Sequence, residues 1–319
     1  MKYLFGPVLS RRLGLSLGVD LLPPQKVCSM DCLYCECGKT PRRLLTLERR
    51  EWVPTDEVKR ELEYLLSDPS FEVDFVTFSG NGEPTLHSRF GEVARFVKEL
   101  RPDLRLALLT NASTLDEPEV LKELEVFDLI SPSLDAGSEE VFKKINRPAE
   151  GLTLEKVLRG LRKLRENFQG EVWLETLFVR GINDHPAEVE RIGELVHELE
   201  PDRWQINTVV RPPAYRVRGL TEEELLKIAE LVAYPKTDVV GIGMIPVKSV
   251  GVKRGSDAER RLLELVRRRP SPPEELKPAL RLGDEEFERL VQKLQREGKV
   301  KLVSHGGRRF VAPAGEDRN

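Results

Sequence analysis

Cysteine is scarce in this chain, with four residues in 319, and all of them fall between positions 28 and 37. That distribution excludes a disulfide framework, which spreads its cysteines along a small secreted scaffold. Histidine also numbers four. His87, His185, His197 and His305 share no ligand spacing, so each reads as a solvated or capping residue. No apolar run approaches the roughly 18 residues that cross a bilayer, and the N-terminus does not read as a targeting segment. A cytoplasmic protein with no membrane partner is expected. Repeats and low-complexity tracts are absent as well.

Charge of one sign is not in excess overall, since the formal net charge is −3, but its distribution is uneven. Residues Arg254 to Pro313 carry 15 Lys+Arg against 10 Asp+Glu, which leaves the rest of the chain acidic. A basic module on an acidic body points to a polyanionic partner. The solvated charge of an ordinary helical domain accounts for the same surplus.

The length suits two domains or one large barrel with an appendage. Apolar runs predict strands over Leu15–Val19, Val73–Ser79, Arg105–Thr110, Leu129–Leu134, Val172–Val179 and Trp204–Val209, with a seventh run at Asp238–Pro246. Helical spacing predicts helices over Thr55–Ser67, capped by Thr55, and over Arg89–Leu100, Leu154–Asn167, Pro186–Leu199 and Glu222–Ala233. Strand and helix alternating in this way give an α/β fold, a partial (β/α)6 TIM-like barrel over residues 1–250. After Gly251–Gly255 the rhythm changes. Asp257–Arg269, a helix opened by a Ser271–Glu274 capping box, and Asp284–Glu297 capped by Asp284 precede a hairpin around Gly306-Gly307. That order reads as a winged helix-turn-helix domain over residues 255–313, separable from the barrel.

The cysteines are the most informative residues. Cys28, Cys32 and Cys35 stand at CxxxCxxC spacing in one short loop after the first predicted strand. A [4Fe–4S] cluster normally takes four cysteines, so a loop offering three leaves one iron able to hold a small molecule. With Cys37 the four thiols also match a structural zinc site in number, although four ligands from one ten-residue stretch strain the backbone. Ligands of parallel α/β proteins bind at the carboxyl ends of strands. The second predicted strand ends in Gly80-Asn81-Gly82-Glu83-Pro84, small residues followed by a carboxylate able to accept from an ammonium group. Asn111, Ser133 and Asp135 end the next two, and the latter pair suits a ribose diol, although such residues also cap helices and make turns. Glu175 lies inside the fifth strand, either as a lumen residue or in a structural ion pair. Arg211 follows the sixth, where it suits a ligand carboxylate or phosphate, or a plain strand-end salt bridge.

Together the cysteine spacing, the aromatic Tyr34 before the last cysteine, and the glycine–glutamate turn resemble the radical S-adenosylmethionine (SAM) superfamily. Gly6–Asp20, Phe178–Asp184 and Arg211–Pro213 add a resemblance to the branch that includes wyosine-type tRNA-modifying enzymes. The resemblance implies a [4Fe–4S] cluster on Cys28, Cys32 and Cys35. It also implies SAM held by the Gly80–Pro84 turn, Ser133 and Asp135, with reductive cleavage to a 5′-deoxyadenosyl radical that abstracts hydrogen from a substrate. An electron donor such as ferredoxin or flavodoxin is the implied partner. Wyosine synthases carry three further cysteines and a pyruvate-capturing lysine, whereas only Cys37 is left over here. The tail is expected to recruit RNA through Arg289, Lys293, Arg296, Lys299, Lys301, Arg308 and Arg309. A peptide substrate and a non-enzymatic iron–sulfur DNA-binding regulator are the alternatives.

Overall fold

The structure, a computed structural model, describes residues 1–10, 12–240, 258–280 and 282–315. Eight strands form one sheet in sequence order: β1 (Leu4–Ser10), β2 (Gly14–Val19), β3 (Phe75–Phe78), β4 (Arg105–Thr110), β5 (Leu129–Pro132), β6 (Glu171–Phe178), β7 (Arg203–Thr208) and β8 (Thr237–Val239). From β2 onward every neighbouring pair is parallel, and each crossover carries helix. These helices are α1 (Thr55–Leu66), α2 (Phe90–Leu100), α3 (Pro118–Leu124), α4 (Glu139–Asn146), α5 (Leu154–Asn167), α6 (Pro186–Leu199) and α7 (Glu222–Val232).

Several expectations need correction. β1, which lies antiparallel to β2, was not foreseen because Gly6 and Pro7 break its alternation. Helices α3 and α4, of seven and eight residues, are too short to show a period. Thr55 is the first residue of α1 rather than its cap, which is Pro54. The predicted Asp238–Pro246 run begins as β8, and the part from 241 lies outside the described residues, as does the expected boundary at Gly251–Gly255.

The strands' period of two builds the site. Outward residues such as Val76, Phe78, Leu106, Leu108, Ile130 and Leu174 are buried in the main core. Inward residues change character along each strand. Near the strand starts, Phe75, Ala107, Leu129 and Trp173 pack with Leu13 into an apolar floor. Two residues further on, Thr77, Leu109, Ser131 and Glu175 line a cavity. The sheet curls around it, because Arg12, just before β2, pairs at 2.6 Å with Glu175 of β6. In a flat sheet those strands stand about 19 Å apart.

The C-terminal unit holds α8 (Ala258–Arg268), α9 (Pro273–Leu280), α10 (Asp284–Arg296) and the antiparallel hairpin β9 (Val300–His305) and β10 (Arg308–Pro313). Leu262, Val266, Leu276, Phe287, Val291 and Leu294 make its core, and Val8 of β1 packs against it. In place of the expected capping box, the Ser271 backbone pairs with Val311, and Glu274 takes Arg308. Gly283 stands at the cap of α10, and Asp284, its first residue, pairs with Lys277 at 2.7 Å.

Charge joins this unit to the barrel. Arg211 after β7 is 6% exposed, pairs with Glu36 at 2.9 Å and Glu275 at 2.6 Å, and donates to the Pro270 carbonyl at 2.9 Å. Arg268 of α8 pairs at 3.0 Å with Asp20, itself 4% exposed. Removing one partner of a buried pair leaves uncompensated charge. Arg211→Ala is therefore expected to lower stability by about 3 kcal/mol, read by urea unfolding. An unchanged midpoint would return Arg211 to the ligand role read from the sequence.

Candidate functional site

The cysteine loop follows β2 and is pinned on three sides. Val27 bridges Gly82, with its amide donating to the Asn81 carbonyl at 3.2 Å and its carbonyl accepting from the Glu83 amide at 3.1 Å. Cys28 exchanges backbone bonds with Leu44 and Thr46, while the Asp31 and Leu33 amides cap the C-terminal end of α4. Gly82 has φ +140°, and a Cβ there would lie 1.7 Å from the Val27 carbonyl oxygen, so the close approach of turn and loop requires glycine. So held, Cys28, Cys32, Cys35 and Cys37 all line one cavity of about 310 Å³.

Each thiol has a polar neighbour. Asn111 donates to Cys28 Sγ and Asn146 to Cys32 Sγ, both at 3.4 Å, and Lys26 donates to Cys35 Sγ at 3.0 Å. Cys37 donates to the Gly80 carbonyl at 3.4 Å. Burial pushes the Cys28 thiol up to about 11 and raises Cys32 as well. The neighbouring Cys37 and the Lys26 ammonium overcome burial at Cys35 and hold it below the usual thiol range. Among the described residues no three His, Cys, Asp or Glu side chains converge as ligands of a single ion. Cys28, Cys32 and Cys35 line one cavity, and in an iron–sulfur cluster the irons each take their own cysteine, which suits three thiols in this lining.

The strand-end residues divide into two groups. Glu83, Thr110, Asn111, Ser133 and Glu175 line the same cavity as the thiols, with Tyr34, Gly80 and Gly82. The buried Glu83 carboxylate is already a hub. Its Oε1 accepts from the Thr85 amide, the Thr85 hydroxyl and the Thr110 hydroxyl, and its Oε2 from the Asn111 amide at 2.6 Å. A carboxylate offers about four acceptor positions, so Oε2 keeps room for one more donor. Glu175 holds Arg12 and accepts from Asn207 at 2.9 Å.

Asn81, Pro84, Asp135 and Arg211 lie outside that lining. Asn81 donates to the Pro24 carbonyl at 2.6 Å, and Pro84 opens a buried 3-10 turn. Asp135 sits behind Tyr34, accepting from its hydroxyl, from Asn146 at 2.8 Å and from the Leu177 amide at 3.0 Å. Burial raises Asp135 to about 6. It orients Tyr34 and the Cys32 neighbour Asn146, and its Oδ1, which accepts only from the Leu177 amide, keeps an acceptor position. Arg211 is committed to Glu36 and Glu275.

Two features escaped the sequence reading. Ser131 is 4% exposed, lines the cavity, and its Oγ has no hydrogen-bond partner. The signal was present, since Ser131 stands one strand period before Ser133. The other feature is the roof. Leu265, Arg268, Leu276 and Ala279 of the C-terminal unit line the cavity from above. Through Arg268 this roof also neutralises Asp20, which accepts from the Asn81 amide at 3.2 Å and so fixes the Gly80–Glu83 turn.

Residues 22–195, which span the cysteine loop and strands β3 to β6, match the radical SAM superfamily. The chain belongs to that superfamily, whose members use SAM and an iron–sulfur cluster. The UPF0026 protein MJ1312 of Methanocaldococcus jannaschii is 30% identical over 97% of this chain and 95% of its own length. A protein named GTPase Obg from Brachyspira hyodysenteriae is 32% identical over 94% of this chain, which spans 43% of that protein. The crystal structure of a radical SAM methyltransferase from Sphaerobacter thermophilus aligns with a TM-score of 0.53 at 14% identity, over 70% of this chain and 65% of that one, and shares the fold. None of these three carries a wyosine enzyme's name.

The thiol environment sets an order of reactivity. Cys35 is held below the usual thiol range while burial raises Cys28, so Cys35 is the more readily ionised of the two, and only the thiolate is a nucleophile. Iodoacetamide is expected to label Cys35 before Cys28 and Cys32 in cluster-free protein, as followed by peptide mass spectrometry. Equal labelling of all three would contradict the Lys26–Cys35–Cys37 arrangement.

Proposed function

We propose that the chain is a radical SAM enzyme that holds a [4Fe–4S] cluster on Cys28, Cys32 and Cys35 and cleaves SAM in the cavity beside them. The observation that carries this reading is the meeting of those three thiols with Glu83, Asn111, Ser131 and Ser133 around one roofed cavity. Cys28, Cys32 and Cys35 would hold the cluster, which when bound and reduced would supply the electron for reductive cleavage of SAM and so for hydrogen abstraction from a substrate. Glu83 Oε2 accepts from the SAM ammonium, and the unpartnered Ser131 hydroxyl and that of Ser133 contact its ribose. Tyr34, fixed by Asp135, holds the loop against β5. The α8–α9 roof excludes water. The electron comes from a carrier such as ferredoxin or flavodoxin.

Anaerobic reconstitution with iron and sulfide tests the whole reading. Four irons and four sulfides per chain are expected for such a cluster, with methionine and 5′-deoxyadenosine formed when a strong reductant is added. Cys32→Ser should abolish both. Stoichiometric zinc with intact SAM would overturn the proposal.

Ser131 and Glu83 should separate binding from folding. Ser131→Ala removes a hydroxyl that bonds nothing, so the unfolding midpoint should hold while SAM affinity on the cluster-loaded protein falls several-fold. Glu83→Ala should weaken SAM about tenfold or more and also cost about 2–3 kcal/mol of stability, since its donors lose their acceptor. Calorimetry and urea unfolding give the two readouts. Unchanged affinity in Ser131→Ala would remove it from the SAM contacts.

A further inference from the structure

A second, larger groove of about 870 Å³ runs between the loop after β7, residues 208–220, and the β9–β10 hairpin. Its lining contains Arg216, Arg218, Lys301 and Arg308, and neither Asp nor Glu. In a chain with 54 acidic residues and a net charge of −3, an acid-free wall of this size is a local reversal of sign. Arg308 is compensated by Glu274. Arg216 and Arg218 are exposed, and among the described residues neither side chain has an ion-pair or hydrogen-bond partner. Two guanidinium groups two residues apart in a Pro-flanked loop, with nothing to neutralise them, are presented to solvent rather than used by the fold.

The path continues beyond the groove toward the cysteines, where Arg147 is already paired with Asp31 at 3.2 Å and Asp31 also accepts from the Tyr215 hydroxyl at 2.6 Å, so that Lys39 is the cation this stretch adds. Tyr215 lines the groove, its amide donates to the Leu33 carbonyl at 3.1 Å, and Lys39 and Arg147 stand 5.0 and 4.7 Å from its ring centre. Lys39 is two residues past Cys37. The groove and the inner cavity share one partition, in which Arg211 joins the Pro270 carbonyl to Glu36 and Glu275. Pro270 faces the groove, and Glu36 and Glu275 face the cavity.

The helix that the sequence favoured for nucleic-acid contact is less suited. Lys293 and Lys299 are both taken by Glu259, at 2.6 and 2.7 Å, and α10 opens with Asp284, Glu285 and Glu286. Repeated cations along an open path match a ligand with repeated anions, and arginine forks match phosphate oxygens.

We propose that the groove between the 208–220 loop and the C-terminal hairpin binds a single phosphodiester strand through Arg216 and Arg218 and directs it past Tyr215 toward the cysteine cavity. The inference names a substrate class for the radical SAM reading and rests on that reading only for the chemistry that follows docking. Its test has a separate readout, so loss of one does not disguise loss of the other.

The reconstituted full chain is titrated into fluorescein-labelled single-stranded RNA, single-stranded DNA, duplex RNA and poly-glutamate, read by anisotropy at several salt concentrations. Salt-dependent binding of single strands is expected, and the RNA and DNA arms tell which sugar is preferred. Arg216→Glu with Arg218→Glu should weaken it about tenfold or more, since each arginine makes a charge-assisted bond. Arg216→Ala with Arg218→Ala should lower the log–log salt slope by about 1.4. Arg289→Glu with Arg296→Glu, on exposed α10, should leave binding intact. The proposal fails if no nucleic acid binds, or if poly-glutamate or the duplex binds in preference to single strands. It also fails if the α10 variant loses binding while the Arg216/Arg218 variants keep it. Circular dichroism of the same variants, whose altered side chains are exposed, checks that the fold is intact.

Discussion

Two arginines, Arg211 buried and Arg268 partly so, decide whether this chain has a closed cavity at all. A guanidinium withdrawn from water is tolerated only with partners in good geometry, and here those partners sit on different parts of the chain. Arg211, from the end of β7, is satisfied by Glu36 of the cysteine loop and by Glu275 and Pro270 of the C-terminal unit. Arg268, from α8, is satisfied by Asp20 at the end of β2. Arg211 has its full set of partners only when barrel, loop and roof are together, and Arg268 only when roof meets barrel, so the desolvation penalty of each favours the assembled state. The roof is held by specificity of charge as well as by the apolar contact of α8 and α9 with β1.

Within that enclosure, the same polar groups serve the loop and the strand ends at once. Glu83 ties its own turn to β4 through Thr110 and Asn111, and Asn111 then donates to Cys28. Asp135 ties β5 to Tyr34 and, through Asn146, to Cys32. The thiols are thus addressed by amides whose own positions are fixed by buried carboxylates. Outer contacts of this kind orient metal ligands and tune the group they hold.

Local pattern carried much of this. The six strands and five helices read from periodicity are present, and the cysteine loop lies where the first βα connection was expected. What local pattern could not carry is pairing across long sequence separations. Arg211 and Asp135 were correctly seen as polar residues at strand ends. Their side chains, however, are engaged by Glu275 and by Tyr34, 64 and 101 residues away. Nothing in the neighbourhood of either residue announces that. Ser131 was legible through its spacing from Ser133 and was overlooked because a serine inside a strand reads as ordinary lining. The roof was not legible for a related reason: α8, α9 and α10 are locally complete, and their own pattern does not show the charges that join them to the barrel.

The cavity's walls come from both ends of the chain, with Phe5 and the cysteines near its start and Leu265 to Ala279 near its finish. On the ribosome the cysteine loop and every barrel strand therefore emerge before the roof does, and domains fold as they emerge. Until α8 and α9 are made, the thiols face an open bowl, and once those helices dock whatever the cavity holds is enclosed.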